Sequence, residues 1–171
     1  PDAVPSMAGT GEVLARITRR AGVRYRALVP NHRGAELAVD AGVDDLQVVV
    51  SVSDTHNTRN LKMTVDDSLR QIDDIVALAA RAGTPVEAIL GTAFGCPYEG
   101  WIDPEQVAWL AVQLRDLGVS SLSFADTIGT ATPPSITELI DVVAAEGWDP
   151  QAIALHLHNT RGTGLANLVV A

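Results

Sequence analysis

Only one cysteine, Cys96, occurs among the 171 residues, so no internal disulfide can form and a disulfide-stapled secreted scaffold is excluded. Aromatic residues are scarce at 4%, and no apolar run approaches the ~18 residues of a membrane helix. A charged-then-apolar leader is also lacking, so no membrane partner is expected and a cytoplasmic location is the default expectation. Basic residues are few as well: 12 against 21 acidic ones, for a net charge of −9. That balance argues against a nucleic-acid partner. It leaves room for a small anionic substrate, which a few local cations or helix N-termini can hold.

What is present is an ordinary globular composition, 47% hydrophobic and 19% charged, rich in Ala, Val and Leu. The length suits one domain with a substantial core, and no linker or low-complexity tract divides it. Residues 1–171 are therefore read as a single domain. The chain opens "PDAVPSM" and closes "LANLVVA" within a helical pattern, and it is expected to be an internal segment of a longer protein.

Five apolar runs read as strands: "YRALVP" (25–30), "DLQVVVSVS" (45–53), "VEAILGTAF" (86–94), "SLSFADT" (121–127) and "AIALHLHNT" (152–160). Their continuous apolarity suits strands covered on both faces, as in a parallel sheet. Helical patterns alternate with them. "GEVLARITRRAG" and "RGAELAVDAG" each close on a glycine. "TVDDSLRQIDDIVALAARAG" starts at Thr64 as N-cap with Asp67 three residues on, and "DPEQVAWLAVQLRDLG" has Asp103 as N-cap and Pro104 at the first helical position. "TPPSITELIDVVAAEG" and "GTGLANLVVA" complete the set.

The order, one helix and then five strand–helix units, predicts right-handed crossovers and a parallel α/β sheet. Two architectures compete on periodicity alone. One is an open, flavodoxin-like doubly wound sheet. The other is a (β/α)8 TIM barrel, typically ~250 residues and eight strands, here lacking about three of them. In both, chemistry sits at the C-terminal ends of the strands, where "SVSDTHN", "GTAFGCPYEG", "FADTIGT" and "HLHNTRG" place their polar residues.

His156 and His158 lie two apart in a strand, so their side chains share a face, with Cα atoms roughly 6.6 Å apart. Imidazoles so placed can lean onto one ion at about 2.1 Å, though further ligands must come from other strands. The competing reading is two histidines bonded to water or backbone. Asp126, in "FADTIGTATPP", can orient a ligand or a histidine; equally, it can cap its own loop. Cys96 sits in the ordered loop "FGCPYEGWIDPE" with no base in view, and reads as an inert small hydrophobe. "SVSDTHNTRNLKM" (51–63) reads as a long polar loop carrying His56, Asn57, Arg59 and Asn60, and His32 reads as solvated in a turn.

Taken together, "SVSDTHNTRNLKMTVDDSL", "GCPYEG", "DTIGTATP" and "HLHNTRGTGLAN" resemble hydroxymethylglutaryl-CoA lyase in content and order, from about "VPSM" to the last residue. That family belongs to the metal-dependent TIM-barrel lyases and Claisen-type synthases; the synthases share the His-x-His but usually not "GCPYEG". The resemblance implies a barrel, with the five strands as the third to seventh of eight. It implies that His156 and His158 bind a divalent cation, Mg2+ or Mn2+. Asn60, Ser123 and Thr127 match positions near an acyl-CoA substrate, and Asp126 matches an acid that supports the site. It leaves a homodimer open.

There are departures from the family pattern. The first-strand Arg-Asp motif, the second-strand glutamate and the late glycine-rich loop with the catalytic cysteine are absent, and Cys96 does not take that cysteine's place. Ile89 stands where family members often have tyrosine, and Asn159 follows the second histidine in place of the usual Asp. The resemblance implies a lyase that cleaves 3-hydroxy-3-methylglutaryl-CoA, or a close acyl-CoA, to acetyl-CoA and acetoacetate, with the segment alone inactive. Two alternatives stand beside it: a Claisen-condensing acyltransferase of the same superfamily, and a degenerate barrel segment without catalysis.

Overall fold

The computed structural model describes residues 8–171, so the "VPSM" stretch at 4–7 lies outside the described residues. The elements run α1 (Thr10–Arg16), β1 (Arg26–Leu28), α2 (His32–Asp40), β2 (Asp45–Ser51), α3 (Asp54–Leu61), α4 (Val65–Ala82) and β3 (Val86–Gly91). Then come α5 (Pro104–Asp116), β4 (Ser121–Asp126), α6 (Pro133–Ala145), a 3-10 turn (Pro150–Ala152), β5 (Ile153–Leu157) and α7 (Gly164–Val170).

All five expected strands form, each shorter than its apolar run, and they pair in parallel in the order β1-β2-β3-β4-β5. This order decides between the two architectures. A doubly wound sheet reverses its strand order at a switch point; here every crossover advances in the same direction. With right-handed crossovers, all the helices then fall on one face, which is the arrangement of a barrel wall.

Burial agrees with that assignment. Leu46, Val48, Val50, Ala88, Leu90, Leu122 and Phe124, alternate residues of β2–β4, are fully buried and share one core with Ile72, Ile75, Val107, Leu110, Ile136 and Leu139 from the helices. The opposite residues of the same strands, Val49, Ile89 and Ala125 among them, belong to no such core. That inward face is more polar: Glu87 is buried there, salt-bridged to Arg26 at 2.5 Å and accepting from the Gln47 amide. The result is an open half-barrel, five strands of wall with α2 on α4, α5 on α6 and α6 on α7 outside.

Local chemistry sets the helix ends. Thr64 accepts from Asp67 N while Asp67 reaches back to Thr64 N, a complete capping box. Asp103 accepts from Glu105 N ahead of Pro104. Two stretches depart from the sequence expectation. The first helix stops at Arg16 rather than running to residue 22, because the following residues are spoken for: Arg19 donates to Gly42 O and to Asp44, and stacks over Tyr25. The polar stretch 51–63 is mostly helix α3, not loop. Ser53 caps it by accepting from His56 N, and Asn57, fully buried, accepts from Ser51 N while its amide donates toward Met63 O, Thr64 O and Ser68 Oγ. His32, expected in a turn, is the half-buried first residue of α2.

Candidate functional site

The C-terminal ends of β2–β5 meet in a network of short polar side chains. At the end of β3, Thr92 is fully buried with φ of 58°, a left-handed conformation that a β-branched residue rarely adopts. Its hydroxyl donates to Gly91 O, its N–H donates to Thr127 Oγ1 at 2.8 Å, and Ser53 N reaches its oxygen at 3.3 Å. Thr92 therefore ties the ends of β2, β3 and β4 together. The sequence reading missed it, because neither its neighbours nor its residue type announces a positive φ.

Cys96 is buried, donating from Sγ to Ser53 Oγ at 3.0 Å and accepting from Tyr98 N. It packs as a small residue within this network. Ser51, fully buried at the end of β2, shares a hydrogen bond with His56 Nδ1 at 2.7 Å. Burial holds the His56 imidazole below its ordinary value, which favours the neutral ring. Glu99 accepts from Thr55 N, and hydrogen bonding at that end of α3 keeps its carboxyl on the charged side of the usual range.

On β5, His156 sits opposite Ala125 in the ladder, with its side chain on the inward face. His158 lies just beyond the strand, and both rings are exposed. Their Nε2 atoms stand 3.3 Å apart, with ring centroids at 5.1 Å and planes inclined by 48°. Two bonds of about 2.1 Å from one ion span such a gap at an angle of roughly 100°. The pair thus fits a divalent cation as two of its ligands. Among the described residues no three or more His, Cys, Asp or Glu side chains are grouped so that they could hold a metal ion.

The other residues singled out in the sequence divide into two groups. Ser123 is buried on the inward face of β4, between Ile89 of β3 and Ala154 of β5 in register, one step below Ala125 and His156. Thr127 lies just past the end of β4 with its hydroxyl engaged by Thr92. Asp126 points the other way, into the helix layer with Leu122 and Phe124. Both its oxygens serve its own loop, accepting from Thr130 N at 2.8 Å and Ala131 N at 3.1 Å. Asn60 stands apart, exposed on α3 at the rim of a cavity of about 180 Å³ also lined by Leu28, Pro30, Val49 and Gln71. Beside His156 the wall is built small: Ala125 and, one strand further, Gly91 share its inward level, and Ser51 continues the row on β2.

A half-barrel wall with a converging His-x-His at one strand end is a specific arrangement, and the family model described as HMGL-like matches residues 3–171. The chain belongs to the HMGL-like family. It is 40% identical over 171 residues to hydroxymethylglutaryl-CoA lyase of Bacillus subtilis, covering 100% of this chain and 57% of the relative. It is 39% identical over 168 residues to a 3-hydroxy-3-isohexenylglutaryl-CoA/hydroxymethylglutaryl-CoA lyase of Pseudomonas aeruginosa, covering 98% and 56%. A solved lyase from Acinetobacter baumannii, in complex with coenzyme A and 3-methylmalate, superposes with a TM-score of 0.93 at 36% identity, over 99% of this chain and 55% of that one. This HMGL-like chain thus spans little more than half the length of these relatives. The superposition confirms that its five strands form part of a TIM-barrel wall.

Proposed function

We propose that the protein is a divalent-cation-dependent carbon–carbon lyase acting on 3-hydroxy-3-methylglutaryl-CoA or a close acyl-CoA. The observation that carries this reading is the 3.3 Å convergence of His156 and His158 on the inward face of an HMGL-like barrel wall. In a retro-Claisen cleavage the tertiary hydroxyl loses its proton, the bond to the thioester-bearing carbon breaks, and its electron pair leaves as the acetyl-CoA enolate. Protonation of that carbon gives acetyl-CoA; the remainder is acetoacetate.

A bound divalent cation supplies Lewis-acid polarisation that eases loss of the hydroxyl proton. His156 and His158 would hold it, in their neutral forms. Mn2+ accepts such imidazole nitrogens, whereas Mg2+ prefers oxygen, so with Mg2+ the rest of the shell has to be oxygen-rich. Ser123, one step down the same face, presents its hydroxyl to the acyl portion, and Gly91 and Ala125 leave it room. Thr127 belongs to the mouth at the end of β4 where the thioester arm enters, and Asn60, on the separate cavity beside β1 and β2, would meet only a more distant part of the CoA. Asp126 supports the site through the loop it braces.

A longer or more branched acyl group is a second reading, favoured by Ile89. It makes the inward row beside Ser123 aliphatic, and the Pseudomonas aeruginosa relative is named for an isohexenyl substrate as well.

The test offers the complete protein, not the 171-residue chain alone, 3-hydroxy-3-methylglutaryl-CoA in one arm, and acetyl-CoA with a 2-oxo acid in the other. Acetoacetate in the first arm, dependent on Mg2+ or Mn2+, is expected. Condensation in the second arm with no acetoacetate in the first would make the protein a synthase, and silence in both would favour the degenerate barrel.

A further inference from the structure

His156 and His158 are held by different means. His156 lies within β5 and pairs in register with Ala125, so the sheet itself fixes it. β5 ends at Leu157, which leaves His158 outside the ladder. Its position relative to His156 depends on the loop that follows, residues 158–164, and on whatever anchors that loop.

The anchor is the carbonyl of Ala131, in the loop after β4. Asn167 Nδ2 donates to Ala131 O at 2.9 Å, and Thr163 Oγ1 donates to the same oxygen at 3.2 Å. Thr163 is the N-cap residue of α7, yet its hydroxyl caps nothing in its own helix. A threonine there ordinarily accepts from the helix's first turn; this one is diverted to the neighbouring loop. Ala131 is itself fixed, since its N–H donates to Asp126 Oδ2.

The same helix start grips the histidine strand. Gly164 N donates to Asn159 Oδ1 at 2.9 Å, and Asn159 directly follows His158. The two loops also touch: a Cβ on Gly129 would lie 2.7 Å from Thr160 Oγ1 and 3.1 Å from Thr160 N, so only glycine fits there.

Asn167 is fully buried, and its Oδ1 is without a hydrogen-bond partner among the described residues. Turning the amide over would set its oxygen against the Ala131 oxygen, so Nδ2 is the group that faces that carbonyl. A buried acceptor left unsatisfied is a cost. The residue's place there is explained by what its Nδ2 does.

We propose that Asn167 is a positioning residue. Together with Thr163 it clamps the Asp126–Ala131 loop to the start of α7, and so fixes His158 against His156. The geometric claim concerns the histidine pair itself; only its consequence for a cation rests on the lyase reading above.

The experiment uses the complete protein and follows the ring 1H–15N signals of His32, His56, His156 and His158, with Mn2+ titrated by calorimetry in parallel. Asn167→Leu and Thr163→Val each remove one donor from Ala131 O, and Thr163→Ser restores the hydroxyl. Both disruptive variants should shift or broaden the His158 ring signals while leaving those of His32 in place. Mn2+ affinity should fall about tenfold, and Thr163→Ser should return both readouts to the wild-type values. Unchanged His156 and His158 signals in folded Asn167→Leu would overturn the proposal. If Asn167→Leu fails to fold, Thr163→Val and its serine rescue decide the question alone. If the wild type binds no Mn2+, the cation reading of the site fails, and the ring signals still decide the role of Asn167.

Discussion

Ser51 Oγ and His56 Nδ1 stand 2.7 Å apart at the top of the inward face, joining the end of β2 to the helix that follows it. Burial depresses the basicity of that imidazole below its ordinary value of 6.5. The unfolded chain therefore takes up a proton at His56 more readily than the folded one. The contribution is complete above about pH 6.5 and is lost as the pH falls from there through the lower folded value. Urea unfolding at pH 7.5 and pH 5.5 should show wild type losing more stability on acidification than His56→Gln. Equal losses in the two proteins would contradict the assignment.

Asp126 makes a second prediction. Its two oxygens satisfy two backbone N–H groups in a buried turn. Asp126→Ala orphans both and should cost on the order of 2 kcal/mol or more. Asp126→Asn keeps one acceptor and should cost clearly less. Denaturant midpoints of the two variants give the comparison directly.

Glu87 is buried on the inward face and depends on Arg26 for its charge partner. Arg26→Met leaves that carboxylate unpaired while keeping most of the stem's apolar contact. A loss of about 1–3 kcal/mol is expected, and Glu87→Gln in the same background should recover part of it. A double-mutant cycle measures the coupling.

Among the described residues the histidine pair has no third His, Cys, Asp or Glu grouped with it so as to hold a metal ion. The 171-residue chain expressed by itself should therefore bind Mn2+ only weakly and produce no acetoacetate. Calorimetry and a coupled product assay on that chain check both statements. Measurable turnover would show that these residues suffice.

Much of this architecture is legible in the sequence where local chemistry decides. Thr64 with Asp67, and Asp103 with Pro104, mark helix starts that the structure reproduces. The choice between an open sheet and a barrel wall is not local. It rests on which strand lies beside which, and apolar periodicity carries no such information. Helix α3 escaped because it has hardly any apolar face to read; its stability comes from the Ser53 cap and from Asn57, whose bonds reach both ends of the segment.

Within the site, alternation along β4 already contains the orientation of Asp126, two residues from Phe124 and therefore on the helix side, away from Ser123. The close approach of the two Nε2 atoms is different. Spacing along a strand puts the histidines on one face, but only the ring tilt and the loop after His158 bring the nitrogens to 3.3 Å. The left-handed backbone at Thr92 has no signature in the sequence at all.

The proposed lyase reaction depends on a cation held by His156 and His158. The most direct measurement treats the complete protein with a chelator, adds back Mg2+ or Mn2+, and follows acetoacetate from 3-hydroxy-3-methylglutaryl-CoA for wild type, His156→Ala and His158→Ala. Activity should vanish on chelation, return with the cation in the wild type, and stay at least about a hundredfold down in both variants, as for loss of a metal ligand or its support. Chelator-resistant turnover, or alanine variants as active as wild type, would contradict the account.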